Sequence, residues 1–186
     1  MNAADDVAGL ELRLHGGGLW PEPTQLPDDM RQYIRDADGR AGAISGQPYG
    51  EAYLNELLLD PELILDSTPT TAAILAAESI EASKGIEMLR AIQHGHWEYG
   101  RHVVRPEVLR QLATDIGLDA TAFDEALNSI DPSQHIAQSR QLMSQIGAHG
   151  FPAFVLEHDG QWFAVPHQQF MAKPDAFSAW LGQQIS

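Results

Sequence analysis

Residues 147–156 read Gly-Ala-His-Gly-Phe-Pro-Ala-Phe-Val-Leu, and this stretch decides the fold class that the rest of the chain has to fit. Glycine at 147 is typical of a helix end, and Gly150-Phe151-Pro152 is typical of a turn. Because proline has no N–H group, at the first residue of a strand it marks an edge, a bulge or a cis turn. The stretch therefore predicts a helix, a turn and an apolar strand, in that order.

Composition limits the classes of protein to which the chain can belong. Its 186 residues, 44% of them hydrophobic, suit one compact domain or a domain with an insertion. A net charge of −15, from 26 acidic and 11 basic residues, argues against binding to nucleic acid or to an anionic membrane surface. No run approaches the roughly 20 apolar residues of a membrane span. The acidic N-terminus lacks signal-peptide features, so we expect a cytoplasmic protein.

The order of predicted elements is strand, helical block, hairpin and helix. Residues 10–15 alternate between apolar and polar, which is strand periodicity, and three glycines end the segment. A run of about six helices follows, the first predicted at 28–37 and ended by Gly39. Strands at 153–157 and 161–165 are joined by Asp159-Gly160, a strong hairpin signal. A strand, a long crossover and a further strand favour a mainly parallel α/β sheet with an inserted helical subdomain.

Six passages, taken in this order and at this spacing, resemble one known family. They are GLELRLHGGGL at 9–19, SGQPYG at 45–50, LDSTP at 65–69, AIQHGHWEYGR at 91–101, VLRQLA at 108–113 and Gly150-Phe151-Pro152. Together they resemble the DsbA-type thioredoxin-like proteins, and more closely the cytoplasmic bacterial members described as protein-disulfide isomerases. The resemblance implies an α/β fold in which a helical subdomain interrupts a thioredoxin-like sheet. It places the thioredoxin-like part at 1–27 and 148–186 and the helical insertion at 28–147.

The chain departs from the family pattern at its front. Family members begin with a strand that leads into a Cys-x-x-C helix, and Met1 falls near the end of that helix. We therefore expect the thioredoxin-like sheet to be incomplete at the N-terminus. A missing central strand would leave unpaired backbone edges on both of its neighbours, so we expect self-association or poor folding rather than closure. The chain has no cysteine, so we also expect it to be inactive in thiol–disulfide exchange.

The resemblance also implies where a substrate binds. Phe151, the residue before Pro152, would offer its backbone to an extended peptide, with Pro152 in the cis form. The predicted binding residues in this turn are therefore Gly150, Phe151 and Pro152. His15 is a further candidate, because ligands sit beyond the carboxyl ends of parallel strands and histidine can handle protons. The alternative for His15 is an exposed residue before a flexible turn. We predict no catalytic residue, no metal site and no cofactor within this chain.

Three histidines lie close together at positions 94, 96 and 102. On a helix, residues 94 and 96 point about 200° apart, so they do not form the i, i+4 pair that grips a metal ion. Gly95 and Gly100 indicate close helix packing instead, with Trp97 and Tyr99 as core or pocket surface. No phosphate loop, dinucleotide fingerprint or nucleophile elbow is present in the sequence.

Three functions remain open from the sequence. The first is a DsbA-family thiol–disulfide oxidoreductase or isomerase whose catalytic unit is missing here. The second is a cysteine-free scaffold that binds a peptide or protein partner. The third is similarity to kappa-class glutathione transferases and 2-hydroxychromene-2-carboxylate isomerases, which share this architecture and use a serine on the same missing helix.

Overall fold

Helices make up most of the structure, a computed structural model that describes residues 7–185. The α-helices are α1 Asp28–Ser45, α2 Ser67–Ile80, α3 Lys84–Gln93, α4 Pro106–Asp115, α5 Ala120–Ser129, α6 Ser133–Gln145 and α7 Pro174–Gln184. The strands are β1 Thr24–Gln25, β2 Ile64–Leu65, β3 Val155–His158 and β4 Gln161–Ala164. None of these helices is long and apolar enough to cross a membrane.

The chain forms two compact units. One joins the segment that ends at His15 to residues 137–186, and the other is Gly16–Ile136. The boundaries predicted for the helical insertion, 28 and 147, stay a prediction. The second unit contains α1 to α5 and the short β1–β2 pair, and the first contains the β3–β4 hairpin and α7.

The core of the helical unit rests on small residues along α2. Ala73, Ala76 and Ala77 are fully buried at spacings of three and four, so they form one face of the helix. Small side chains on that face let α3 and α5 pack closely against α2. Met88 of α3 and Phe123 of α5 belong to the same buried cluster as the three alanines. Side-chain caps fix where these helices begin: Asp66 accepts a hydrogen bond from the Thr68 amide at 2.8 Å, and Asp119 caps α5 in the same way.

The first helix is longer than the sequence predicted. We expected it to end before Gly39, but α1 continues through Gly39 and Gly42 to Ser45. It ends at Gly46, which has a φ of +71° and donates its amide to Gly42 O at 2.9 Å. A left-handed residue stops a helix, whereas a glycine inside a helix costs only about 1 kcal/mol relative to alanine. Tertiary contacts offset that cost: a Cβ at Gly42 would lie 2.9 Å from the Tyr49 ring.

The predicted strand at 10–15 does not pair with another strand within residues 7–185, and that part of the sheet prediction is wrong. The two sheets present are both antiparallel pairs, β1 with β2 and β3 with β4. Burial along 10–15 still alternates as in a strand: Leu10, Leu12 and Leu14 are half-buried, while Glu11, Arg13 and His15 are exposed. The side chains thus follow the period of two, but a ladder also requires a paired strand, and within residues 7–185 no strand pairs with this segment.

The predicted hairpin is confirmed. Val155 to His158 pair in register with Ala164 to Gln161, and Asp159 and Gly160 both have positive φ, 51° and 71°. Positive φ at both central residues is the geometry of a type I′ turn, whose twist matches that of the strands. From the apolar positions of the predicted strands and last helix we expect Leu156, Phe163 and Leu181 in the core. Leu156 and Leu181 are buried, whereas Phe163 is 45% exposed. Phe163 is a correction: β4 belongs to a two-stranded sheet, and almost half of the Phe163 residue stays exposed.

Two π-helical segments, Ala52–Glu56 and His94–Glu98, meet through glycines in the helical unit. The Gly50 amide donates to Trp97 O at 2.8 Å. A Cβ on Gly50 would lie 2.0 Å from Glu98 O, and one on Gly100 would lie 2.6 Å from Ala52 O. This contact, which we call the glycine contact, joins two of the passages on which the family resemblance rests.

Candidate functional site

The turn that precedes β3 begins with a glycine-capped helix end. Gly147, with a φ of +67°, donates its amide to Ser144 O at 3.3 Å, and Ala148 donates to Met143 O at 2.9 Å. This pair of bonds is the Schellman arrangement, which satisfies the last carbonyl groups of α6. The predicted helix, turn and strand are therefore present, and the glycine fixes the point at which the chain leaves the helix.

The turn itself is exposed and holds the predicted cis bond. The Phe151–Pro152 peptide is cis. Gly150 and Pro152 are exposed, and the Phe151 side chain is 40% exposed. The guanidinium carbon of Arg140, on α6, lies over the Phe151 ring at 5.1 Å from its centroid. An aromatic ring, a cation and accessible backbone therefore meet at this one turn.

The strand after the turn holds its position through both backbone and ring contacts. Phe154 O accepts a hydrogen bond from the Val165 amide at 3.0 Å, which extends the ladder by one pair beyond β3. The Phe154 ring lies 5.0 Å from the His167 ring. The edge of β3 that faces away from β4 has no strand partner within residues 7–185. An extended backbone can pair with an edge of this kind.

His15, the other predicted binding residue, is exposed at the end of the segment 10–15. In that segment Arg13 contacts Glu11 at 3.1 Å, and this contact raises the Arg13 pKa, with a smaller contribution from Glu157. His15 stays a prediction as a binding residue.

The site contains no sulfur nucleophile, because the sequence has no cysteine. Thiol–disulfide exchange begins with a thiolate, and neither a histidine nor a serine replaces it in that reaction. Chemically, the arrangement around Phe151 and Pro152 can bind a ligand through backbone, ring and cation.

The three neighbouring histidines have three different environments. His94 Nδ1 contacts Glu98 Oε2 at 2.8 Å on the surface, while the His96 ring packs against the Tyr53 ring at 5.1 Å. The prediction that residues 94 and 96 face apart is confirmed. His102 Nε2 contacts Asp60 Oδ2 at 3.0 Å. Within residues 7–185 no three His, Asp or Glu side chains are grouped so as to hold a metal ion.

The packing predicted for the glycines in this passage is confirmed, and the aromatic prediction is corrected. A Cβ on Gly95 would lie 3.4 Å from Leu112 and 3.5 Å from Val103. Trp97 and Tyr99, expected to form core or pocket surface, are instead 38% and 59% exposed. Trp97 lies within the π-helical segment His94–Glu98, and Tyr99 directly follows it.

Sequence reasoning missed two polar contacts that organise the helical unit. Tyr53 Oη donates to Asp38 Oδ2 at 2.6 Å, and burial, followed by Asp38, raises the Tyr53 pKa. The second contact joins His102 Nε2 to Asp60 Oδ2 at 3.0 Å. The Asp60 pKa is lowered, mainly by the hydrogen bond from the Glu62 amide and to a smaller extent by His102. Neither contact has a short-range signal, because the side chains lie 15 and 42 residues apart.

The Arg140 contact with Phe151 was also missed. The two residues are eleven positions apart, with a helix end and a turn between them. No motif links them, so only the path of the chain after Gly147 reveals their contact.

Comparison with known proteins adds independent evidence. The model of the DSBA-like thioredoxin domain family matches residues 48–174. The chain is similar to the cytosolic disulfide reductase DsbM from Pseudomonas aeruginosa, with 38% sequence identity and a TM-score of 0.87. That match covers 98% of this chain and 88% of the DsbM chain. The structure of DsbM with GSH matches over the same shares, at 36% identity and a TM-score of 0.86. No curated protein sequence matches the chain significantly.

These similarities confirm the predicted fold class. The fold is α/β and thioredoxin-like, mostly helical, with small sheets and a helical insertion. The strand pairing at 10–15 remains the exception described above.

Proposed function

Because the chain belongs to the DSBA-like thioredoxin domain family, we propose that it serves thiol–disulfide exchange by binding the substrate. The observation that carries this proposal is the exposed Gly150-Phe151-Pro152 turn in a chain without cysteine. The 186 residues bind an extended peptide or a small thiol peptide and leave its disulfides unchanged. The thiol that reacts has to come from outside these residues.

The unpaired edge of β3 supports peptide binding. A peptide that pairs with this edge gains backbone hydrogen bonds, and an exposed aromatic side chain beside it supplies apolar contact. Phe151 is exposed in this way, and it lies in the turn that precedes β3. One relative is described with GSH, so glutathione is the small ligand that we propose for this chain. That relative is also described as cytosolic, which supports our assignment to the cytoplasm.

We expect the purified chain to leave insulin disulfides intact. With dithiothreitol present, the rate of insulin reduction should equal the rate without protein, because no thiolate is available on the chain. The Pseudomonas aeruginosa relative, assayed beside it, is the positive control. A rate clearly above background, from protein shown by mass spectrometry to carry no added thiol, would contradict the proposal.

We expect Phe151→Ala to weaken the binding of S-carboxymethylated insulin B chain and of S-methylglutathione by about tenfold, the effect of losing a central aromatic contact. Both probes have blocked sulfurs, so calorimetry measures binding without exchange. The matched control is Tyr33→Ala, since Tyr33 is an exposed aromatic residue on α1. Equal affinities for the parent chain and Phe151→Ala, or an equal loss in Tyr33→Ala, would count against the turn as the site.

A further inference from the structure

Arg140 brings a permanent positive charge to the proposed substrate-facing turn. Its guanidinium carbon lies 5.1 Å from the centre of the Phe151 ring, and both side chains are exposed. Arg140 projects from α6, and the Schellman end of that helix directs the chain back towards it. The contact therefore belongs to the geometry of the turn.

The stacking of the two side chains suits recognition of a carboxylate. A guanidinium over an aromatic face is held by the ring quadrupole, while its N–H groups point outward in the plane of the group. Those N–H groups match the two oxygens of a carboxylate. Because the ring restricts the arginine, less side-chain entropy is lost when a ligand binds.

Residues 137–186, which contain the turn, hold only a small share of the chain's negative charge. The whole chain carries a charge of −15, which repels anions. Residues 137–186 contain only three acidic side chains, Glu157, Asp159 and Asp175, against the two basic residues Arg140 and Lys173. Most of the negative charge therefore lies outside residues 137–186 in the sequence.

We propose that Arg140 makes the Phe151 turn selective for peptides that carry a carboxylate close to the bound backbone. This inference rests on the proposed function, because it describes the ligand of the same site. The ring of Phe151 contacts the apolar part of such a ligand, and Arg140 binds its carboxylate. A neutral peptide of the same shape gains only the first contact.

Calorimetry with S-methylglutathione and its diethyl ester tests the proposal, since the two probes differ in their carboxylates. We expect the parent chain to bind the acid about tenfold more tightly than the ester, as a charge-assisted hydrogen bond would give. In Arg140→Gln and Arg140→Met the preference should fall to about twofold, with the affinity for the ester unchanged. Methionine keeps an unbranched apolar stem against Phe151, so it separates packing from charge.

Lys173→Gln is the control, because it removes the same charge from the same unit. This variant should keep the tenfold preference for the acid. For the parent chain, 0.5 M NaCl should reduce the preference, whereas the preference of the Arg140 variants should not change.

Equal binding of acid and ester by the parent chain would overturn this inference alone. Failure of both probes to bind would overturn the proposed function as well. If Arg140→Met loses affinity for the acid and the ester equally, with an unchanged thermal transition, Arg140 acts through packing alone. That result would also refute the proposed selectivity for a carboxylate.

Discussion

Gly50→Ala is expected to lower the free energy of unfolding by about 3 kcal/mol or more, the upper range for overpacking of a buried contact. A Cβ at this position would lie 2.0 Å from the backbone oxygen of Glu98 and 2.9 Å from its carbonyl carbon. A backbone carbonyl cannot rotate away as a flexible side chain would. The substitution therefore has to separate the two π-helical segments and break the 2.8 Å bond from the Gly50 amide to Trp97 O.

Gly39→Ala is the matched control for this prediction. Gly39 lies inside α1, and a Cβ there would have no neighbour within 4 Å. Alanine is the better helix former by about 1 kcal/mol, so this variant should be slightly more stable than the parent chain. Urea unfolding followed by circular dichroism measures both variants. Similar stability for Gly50→Ala and the parent chain would show that the glycine contact is not as close in solution.

Acid is expected to destabilise the protein through His96. Burial, the main cause, lowers the His96 pKa from 6.5 to about 4, with a smaller lowering from His102 and an opposing hydrogen bond to the Arg101 backbone. Its Nδ1 atom is buried and has no hydrogen-bond partner among residues 7–185. The Tyr53 and Trp97 rings lie 5.1 Å and 5.5 Å from the imidazole and offer no charge that would stabilise the protonated form.

The direction of the pH effect on stability depends on whether the folded or the unfolded chain binds the proton more tightly. Below pH 6.5 the unfolded chain protonates His96, whereas the folded chain keeps it neutral until about pH 4. The free energy of unfolding therefore falls as the pH drops through this window. The fall due to His96 is about 2 kcal/mol at pH 5, and about 3 kcal/mol once both states are protonated.

His96→Gln should remove this part of the pH dependence. Loss of the ring contacts lowers stability at every pH, but the slope between pH 7 and pH 5 should become shallower than in the parent chain. His94→Gln is the control, because His94 is an exposed residue two positions away. Urea unfolding at half-unit pH steps gives the slopes. A slope in His96→Gln equal to that of the parent chain would assign the acid sensitivity to other groups.

Much of the local structure could be predicted from the sequence because its causes lie within a few residues. The end of α6 at Gly147 and the Asp159-Gly160 hairpin each depend on the conformations open to glycine or aspartate, whereas the cis form of Pro152 is expected only from the family resemblance. The opposite orientations of His94 and His96 follow from helical spacing. The passages quoted for the family resemblance also sufficed to identify the family, which the match over residues 48–174 shows.

Tertiary structure alone decided the features that depend on distant partners. Residues 10–15 have the burial pattern of a strand, but whether they pair is set by the backbone beside them. The fit of Gly50 against Glu98 and the burial of His96 against Tyr53 each join residues more than forty positions apart. The position of Arg140 over Phe151 depends on the path of the chain between them. Short-range chemistry fixes a residue's own conformation, whereas these contacts require the packed fold to bring their partners together.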